Sequence, residues 1–367
     1  MSARYGFRVI DADGHVMEPP GLWAELAAEF GDRAPRVDAG RGRFIVEGIT
    51  LPGEDRMSPA VRAHIRRLER ERFPDALARG WDPESRLKDM DREGVDETVL
   101  FPTLGLLCSG ATRDRALASA LCRAYNDWLA AYCAEAPARL HGVAMVYLHD
   151  LAWAQKEIAR AVGQLGMKGI FVRPGPHQDR NWHNPLYEPV FAEIERQDVP
   201  LCIHEANSSP LPTAGADRVD GYVYKHVVTH PFEQMMASMT LIMGGVLERH
   251  PRLRVVFLEA GAGWLPYHLW RMDGHYEVLG AVELRHLRLK PSAYFERQCW
   301  ISCDPDEWII PRVIDLIGED RLVFATDYPH FDSRFPESAE AIATTEFLTD
   351  RVKRKILGEN CRRLYGL

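Results

Sequence analysis

Nowhere does the chain hold 18 consecutive apolar residues, so no segment of it reads as a membrane span. Its amino terminus, MSARYGFRVIDADGH, enters a strand-like run almost at once, without the charged, apolar and small-residue regions of a secretory leader. Cysteine is sparse and unpatterned. Seven of them, an odd number with no framework spacing, argue for reduced thiols and a cytoplasmic compartment. The closest pair, Cys299 and Cys303, lies in a strand-like stretch whose rise separates them by about 13 Å, too far for a disulfide. Positive charge is also in deficit: 45 Lys and Arg face 53 Asp and Glu, for a net charge of -8. No basic run is dense enough to follow a phosphate backbone, so nucleic acid is not an expected partner. Internal repeats and low-complexity tails are missing too. What remains is a globular composition, 46% hydrophobic and 27% charged, over 367 residues, a length that a single α/β barrel accommodates as one domain.

Short β-branched runs alternate with longer amphipathic stretches, the pattern of parallel strands joined by helical crossovers. Eight such runs occur: FRVIDADGH from Phe7, ETVLFP from Glu97, HGVAMVY from His141, MKGIFVRP from Met167, PLCIHE from Pro200, LRVVFLEAG from Leu253, FERQCWISC from Phe295 and LVFATDYPH from Leu322. Between them, DRALASALCRAYNDWLAAYCAEA and residues 150–165 show the 3.6-residue apolar period of helices. Eight strand–helix units predict an α/β fold, a (β/α)8 TIM barrel formed by residues 1–367 as a single unit. Residues 31–82, rich in Arg, Gly and Pro, break the alternation and are expected to form a cap insertion after strand one. Within it, AVRAHIRRLERERFPDALARG is a cationic helix, either a solvated face or a lid over the barrel mouth. Residues 205–230, which include Asn207, Ser208, Ser209, Pro210 and Gly215, predict a long loop after strand five.

In such a barrel the chemistry lies at the carboxyl ends of the strands. Strand one ends with Asp11, Asp13 and His15, whose two-residue spacing places them on one face. Strand five ends in His204 and Glu205, strand six in Glu259, and strand eight in Asp327 followed by His330, while His230 is expected to open the next helix after the long loop. Imidazoles and carboxylates from several strands converging on one mouth suit one or two divalent ions, Zn, Mn or Fe. A lone strand-end His is ordinarily a hydrogen-bonding residue. Asp13, His15, His204 and Asp327 together are different, because buried carboxylates cost several kcal/mol unless paired or metal-bound. Glu259 follows the apolar run VVFL, as a ligand or as the partner of a ligating His, and Glu18 is a weaker candidate. Asp11 and Glu205 read as supporting residues. Arg173 points to the mouth by strand parity and is placed either to clamp a substrate carboxylate or to form an internal ion pair. His330, His177 and Asn181 are further candidate substrate contacts. The aromatics Trp23, Trp81, Trp182, Tyr328 and Phe331 are divided between core and pocket wall.

The stretches VIDADGH, IHE, IMGGVLERHPRLRVVFLEAGAGWLPY, FATDYPH and ILGENCRRLYGL run from residue 9 to residue 367. Together they resemble the amidohydrolase-related (amidohydrolase 2) branch of the metal-dependent amidohydrolase superfamily, which includes aminocarboxymuconate semialdehyde decarboxylase and dihydroxybenzoate decarboxylases. The resemblance implies a metal-dependent TIM barrel with Asp13 and His15 as strand-one ligands, His204 as the strand-five ligand and Asp327 as the strand-eight ligand. It also implies a homo-oligomer, a dimer or larger. Two departures stand out: Glu259 occupies the place of the strand-six His of those decarboxylases, and His230 and His330 are additions. That exchange leads us to expect a dinuclear site, with Asp13, His15, His204 and Asp327 on one ion and His230, Glu259 and Glu18 on the second. Lys168 begins its strand, so a carbamylated-lysine bridge is not expected. The expected activity is that of metal-activated water on a small organic acid or acyl substrate, by hydrolysis or non-oxidative decarboxylation, with Glu259 or His230 moving the proton. The missing strand-six His counts against decarboxylation, and a dinuclear Fe/Mn oxygenase is the alternative.

Overall fold

The computed structural model describes residues 4–19, 21–38, 43–51, 57–108, 112–175, 177, 180–206 and 212–367. Eight parallel strands follow one another around a barrel: Ile10–His15, Glu97–Phe101, Leu140–Met145, Gly169–Val172, Leu201–His204, Val255–Leu258, Cys299–Cys303 and Leu322–Phe324. Each of the eight apolar runs of the sequence overlaps one of them, the third starting one residue late, at His141 instead of Leu140. Each strand is buried from end to end, which is why the runs read as nearly continuous rather than alternating hydrophobicity. The seventh run is the exception in its first half. Pro291–Gln298 is a helix, started by a proline at its first turn, and the strand begins only at Cys299.

The first and last strands are joined at their carboxyl ends. Asp327 donates its backbone N–H to the Asp13 carbonyl at 3.0 Å and His15 donates to the Tyr328 carbonyl at 2.7 Å. Asp11, 2% exposed, completes the seam. Its carboxylate accepts hydrogen bonds from the Thr98 hydroxyl (2.8 Å), the Thr326 hydroxyl (2.8 Å), the Thr326 N–H (2.9 Å) and the Asp13 N–H (3.1 Å). The register shifts between Asp11 and Gly14, so the bulge breaks the expected alternation and turns Asp11 away from Asp13 and His15. Gly14 is required there, because a Cβ would collide with the Thr98 hydroxyl and the Asp11 carboxylate. At the far end of the chain, Tyr365 donates its hydroxyl to the Ala12 carbonyl at 3.2 Å, and the Asn360 amide bonds Leu322 O at 2.7 Å. The motif ILGENCRRLYGL therefore braces the same two strands from outside.

Residues 31–82 build a three-stranded antiparallel sheet (Arg36–Asp38, Arg43–Val46, Ile49–Leu51) and two helices, Pro59–Arg72 and Pro74–Ala78. The first helix is capped by Ser58 and opens on Pro59. A separate apolar cluster of Phe73, Ala76, Tyr328 and Phe335, with Trp81 against it, packs this insertion onto the segment after the eighth strand. Arg72 adds hydrogen bonds to Phe331 O (2.8 Å) and Ser333 O (2.9 Å). Of the loop expected over 205–230, the second part is helical: Tyr222–Ile242 is continuous through Pro231. His230 thus sits in the third turn of a helix rather than opening one. Residues Asn207, Ser208, Ser209 and Pro210 lie outside the described residues. Among the described residues no helix is long and apolar enough to cross a membrane, and Cys122, Cys133, Cys202, Cys299, Cys303 and Cys361 are unpaired.

Replacing Asp11 with Ala strands two threonine hydroxyls and two backbone N–H groups in the interior. We expect a loss of about 3 kcal/mol of unfolding free energy in urea denaturation. An unchanged midpoint would contradict the seam.

Candidate active site

The barrel mouth is organised by two imidazoles. His15 Nδ1 lies 2.8 Å from the Pro102 carbonyl and His204 Nδ1 lies 2.8 Å from the Glu205 carbonyl. Each ring therefore donates from Nδ1 and presents its Nε2 lone pair inward. The two Nε2 atoms are 3.1 Å apart, in side chains with no solvent exposure. Asp13 Oδ1 is 3.2 Å from His204 Nε2 and 3.6 Å from His15 Nε2. Neither Asp13 oxygen has a hydrogen-bond partner, although both are buried. Asp327 Oδ1 approaches His15 Nε2 to 3.3 Å from the other side.

Two facing lone pairs and donor-poor carboxylates make an excess of negative potential that only a proton or a cation can offset. Without a cation, the proton settles on His204. Burial lowers that imidazole, but Asp13 and Glu259 outweigh it and bring it up to about 9. His15 moves the other way, held well below its ordinary value by burial and by His330 and His204. The residues fit a divalent ion: two neutral imidazole nitrogens and two carboxylates are the donors that Mn, Fe and Zn take.

Glu259 links this group to a second one. Its Oε2 is 3.3 Å from His204 Nδ1, and its Oε1 is 3.5 Å from His230 Nε2. His230 accordingly points its Nδ1 at the His226 carbonyl, 3.1 Å away. His226 and His230 stack one turn apart, with ring centroids at 4.3 Å, and ligand atoms of His226, His230 and Glu259 lie within 4.8 Å of one another. Gln234, one turn further on, anchors the helix by donating to Ile203 O (3.0 Å) and Leu258 O (2.8 Å), the ends of strands five and six. Burial raises the Glu259 carboxyl, but His230 and His204 hold it well below the usual range. Burial lowers His230, and Glu259 brings it up to about 9. His226 escaped the sequence reading, although the four-residue spacing of HVVTH places both rings on one helical face.

Asp327 and Glu259 share one backbone peculiarity, with φ of 53° and 51° in the left-handed region. Each costs on the order of 1 kcal/mol, a strain typical of residues whose side chains are turned into a site. His330 lies over His15 with ring centroids 4.1 Å apart, its Nδ1 2.7 Å from Asp327 Oδ1 and its Nε2 3.0 Å from the Thr103 hydroxyl. Against the lowering effect of burial, Asp327 brings it up to about 10.

Three expected site residues lie elsewhere. Glu18 is not near His230 and Glu259 in a ligand group: its carboxylate accepts the N–H groups of Gly105 (2.8 Å), Leu104 (2.9 Å) and Thr103 (3.2 Å), which occupy it as the cap of helix Leu104–Cys108. Arg173 is 1% exposed and paired with Glu205, with Leu106 O as a further acceptor, so it takes the internal ion pair and not the substrate clamp. His177 is buried behind it, its Nε2 3.2 Å from Arg173 O, and burial lowers it to about 4.

Two cavities reach the site. One, of about 340 Å³, has apolar walls from Met17, Leu104, Leu106, Leu107 and Phe331, and is bounded by His230, Glu259 and His330. The cap helix Pro59–Arg72 roofs it with Arg62, Ile65, Arg66 and Glu69, so the cationic segment lies over the mouth. The other, of about 310 Å³, is the one lined by Asp13 and Asp327, together with His226, His230, Asp304 and Arg334.

Adding Mn²⁺ in hundredfold excess over its Kd to chelator-treated protein should stabilise the wild type by about 2.7 kcal/mol in calorimetry. Asp13→Asn should lose most of that gain; an equal gain in the variant would remove Asp13 from the ion's donors.

The amidohydrolase family profile matches residues 10–367. Gamma-resorcylate decarboxylase of Rhizobium radiobacter is 32% identical over 295 residues, which span 77% of this chain and 87% of that protein. The crystal structure of 5-carboxyvanillate decarboxylase from Sphingomonas paucimobilis matches with a TM-score of 0.74 and 26% identity, covering 98% of this chain and 99% of that one. A 5-carboxyvanillate decarboxylase from Novosphingobium aromaticivorans, solved with manganese and 4-hydroxy-3-methoxy-5-nitrobenzoic acid, shares the fold at a TM-score of 0.74 and 23% identity over 100% and 97% of the two chains. By the extent of the profile match and the identity to a relative covered over most of its length, the chain belongs to the amidohydrolase family of metal-dependent hydrolases and carboxy-lyases.

Proposed function

We propose that this enzyme catalyses the non-oxidative decarboxylation of a small aromatic acid, with a divalent cation held by Asp13, His15, His204 and Asp327. The observation that carries the reading is the pair of Nε2 atoms facing each other at 3.1 Å beside an Asp13 carboxylate that has no hydrogen-bond donor. A Mn, Fe or Zn ion bound there would supply Lewis-acid polarisation of the substrate's carboxylate and neighbouring oxygen. The 340 Å³ cavity supports the substrate class, since its apolar walls suit a single ring. The relatives described above are decarboxylases of single-ring acids, which favours C–C cleavage over hydrolysis and leaves the oxygenase alternative without support.

Cleavage of the ring–carboxylate bond releases CO₂ and leaves the bonding electron pair on the ring carbon, which must take up a proton. His230 is the group we assign to that transfer. It sits in the cavity wall with Nε2 toward Glu259, and that carboxylate keeps its imidazolium form in place at neutral pH. The imidazole that this chain lacks on strand six is thereby supplied from helix Tyr222–Ile242. His330, carrying a proton beside Asp327 in the same wall, is placed to donate to a substrate oxygen. One observation favours a second reading of the same residues: His226, His230 and Glu259 lie close enough to hold a second ion, in which case His230 would be a ligand and not an acid.

Manganese-loaded protein under argon should release CO₂ from 2,6-dihydroxybenzoate or a related hydroxybenzoate, and His230→Gln should lower kcat roughly 10²- to 10⁴-fold with a smaller effect on KM. Dependence on oxygen, or a hydrolytic product, would overturn the proposal. Elemental analysis separates the two readings of His230: one ion per chain, unchanged in Glu259→Gln, supports the proton donor, whereas two ions falling to one in the variant supports the dinuclear site.

A further inference from the structure

Every polar group of His15 except Nε2 is tied to a different part of the fold. Its Nδ1 meets the Pro102 carbonyl at 2.8 Å and its backbone N–H donates to the Tyr328 carbonyl at 2.7 Å. Its own carbonyl, at the carboxyl end of strand one, accepts a hydrogen bond from Arg86 Nη2. Arg86 belongs to Pro83–Glu93, a helix between the cap insertion and strand two. That helix is firmly ended: the Asp82 carboxylate takes the Ser85 N–H at 2.8 Å, and Gly94 closes it in the left-handed conformation.

The same guanidinium lies over the Tyr328 ring, 4.4 Å from its centroid. Three residues along the helix, and so on the same face, Asp89 accepts the Tyr328 hydroxyl at 2.5 Å and is itself held by Arg92 at 2.9 Å. The helix thus grips Tyr328 by its ring and by its hydroxyl. Tyr328 directly follows Asp327, so Arg86 touches one residue we assign to the cation and the neighbour of another. A carbonyl needs only a neutral donor, and Arg86 is 5% exposed, where a charge is costly. The Tyr328 ring offsets that cost, as do Asp11, Asp89 and Glu93, which line the gap beside the guanidinium. A planar fork donates in its plane while its face lies on a ring; an ammonium group has no such face.

We propose that Arg86 is a positioning residue for the divalent cation: by clamping the His15 carbonyl to the Tyr328 ring, it sets the separation of His15 Nε2 from the Asp327 carboxylate, 3.3 Å in the structure. The proposal rests on the assignment of the cation to Asp13, His15, His204 and Asp327, and its test needs no turnover. Chelator-treated protein is titrated calorimetrically with Mn²⁺, and the electron paramagnetic resonance spectrum of the bound ion is the second readout. Arg86→Met keeps an apolar stem and removes the fork. Its affinity for Mn²⁺ is expected to fall about 10- to 100-fold, with a changed zero-field splitting. Arg86→Lys, which keeps the charge and a donor, should fall between the wild type and Arg86→Met. A merely structural role would lower the unfolding midpoint of the metal-free protein and leave the affinity and the spectrum of the folded protein unchanged. That result in Arg86→Met overturns the proposal. Should Arg86→Met fail to fold, Arg86→Lys decides, and an affinity within about twofold of the wild type with an unaltered spectrum overturns it. Asp13→Asn, titrated alongside, separates the two claims. Weakened binding in Asp13→Asn with wild-type binding in the Arg86 variants overturns only the role of Arg86, whereas wild-type binding in Asp13→Asn overturns the cation assignment and the role of Arg86 with it.

Discussion

The carbonyl oxygens of Pro102 and Glu205 hold His15 and His204 by Nδ1 and so turn two Nε2 lone pairs toward one point. Asp13 and Asp327 face the same point, and the Asp13 carboxylate has no donor to satisfy it. No arrangement of neutral partners relieves this; a positive charge does. The remaining geometry of the mouth serves that requirement. The Asp11 seam fixes the ends of strands one and eight, and with them Asp13, His15 and Asp327. The buried Arg173–Glu205 pair anchors the residue whose carbonyl sets the tautomer of His204. An arginine expected to touch substrate is therefore part of the support of His204.

Glu259 joins the two imidazole groups of the mouth. One oxygen lies against His204 and the other against His230, so the charge on one group is felt by the other through a single carboxylate. Its left-handed backbone, matched by that of Asp327, shows that two strand ends are bent to bring carboxylates into the mouth. Above them, helix Pro59–Arg72 roofs a cavity whose walls are largely apolar.

Much of this was legible in the sequence because the barrel writes its strands as buried runs and its chemistry at their ends. Asp13, His15, His204, Glu259 and Asp327 are all found at the mouth. What was hidden has physical causes. The Asn-Ser-Ser-Pro run and Gly215 made residues 205–230 read as loop, which concealed the helical turn that pairs His226 with His230. The bulge at Asp11 defeats strict two-residue alternation. Parity places Arg173 near the mouth but says nothing of Glu205, which captures the guanidinium first. Glu18 is claimed by three backbone N–H groups, an interaction that depends on a helix end distant in sequence.

The most direct test of the account is an anomalous difference map from crystals of the manganese-loaded protein. The account predicts a manganese peak coordinated by His15 Nε2, His204 Nε2, Asp13 and Asp327. A map with manganese elsewhere, and with His15 and His204 still in contact through a shared proton, would contradict it.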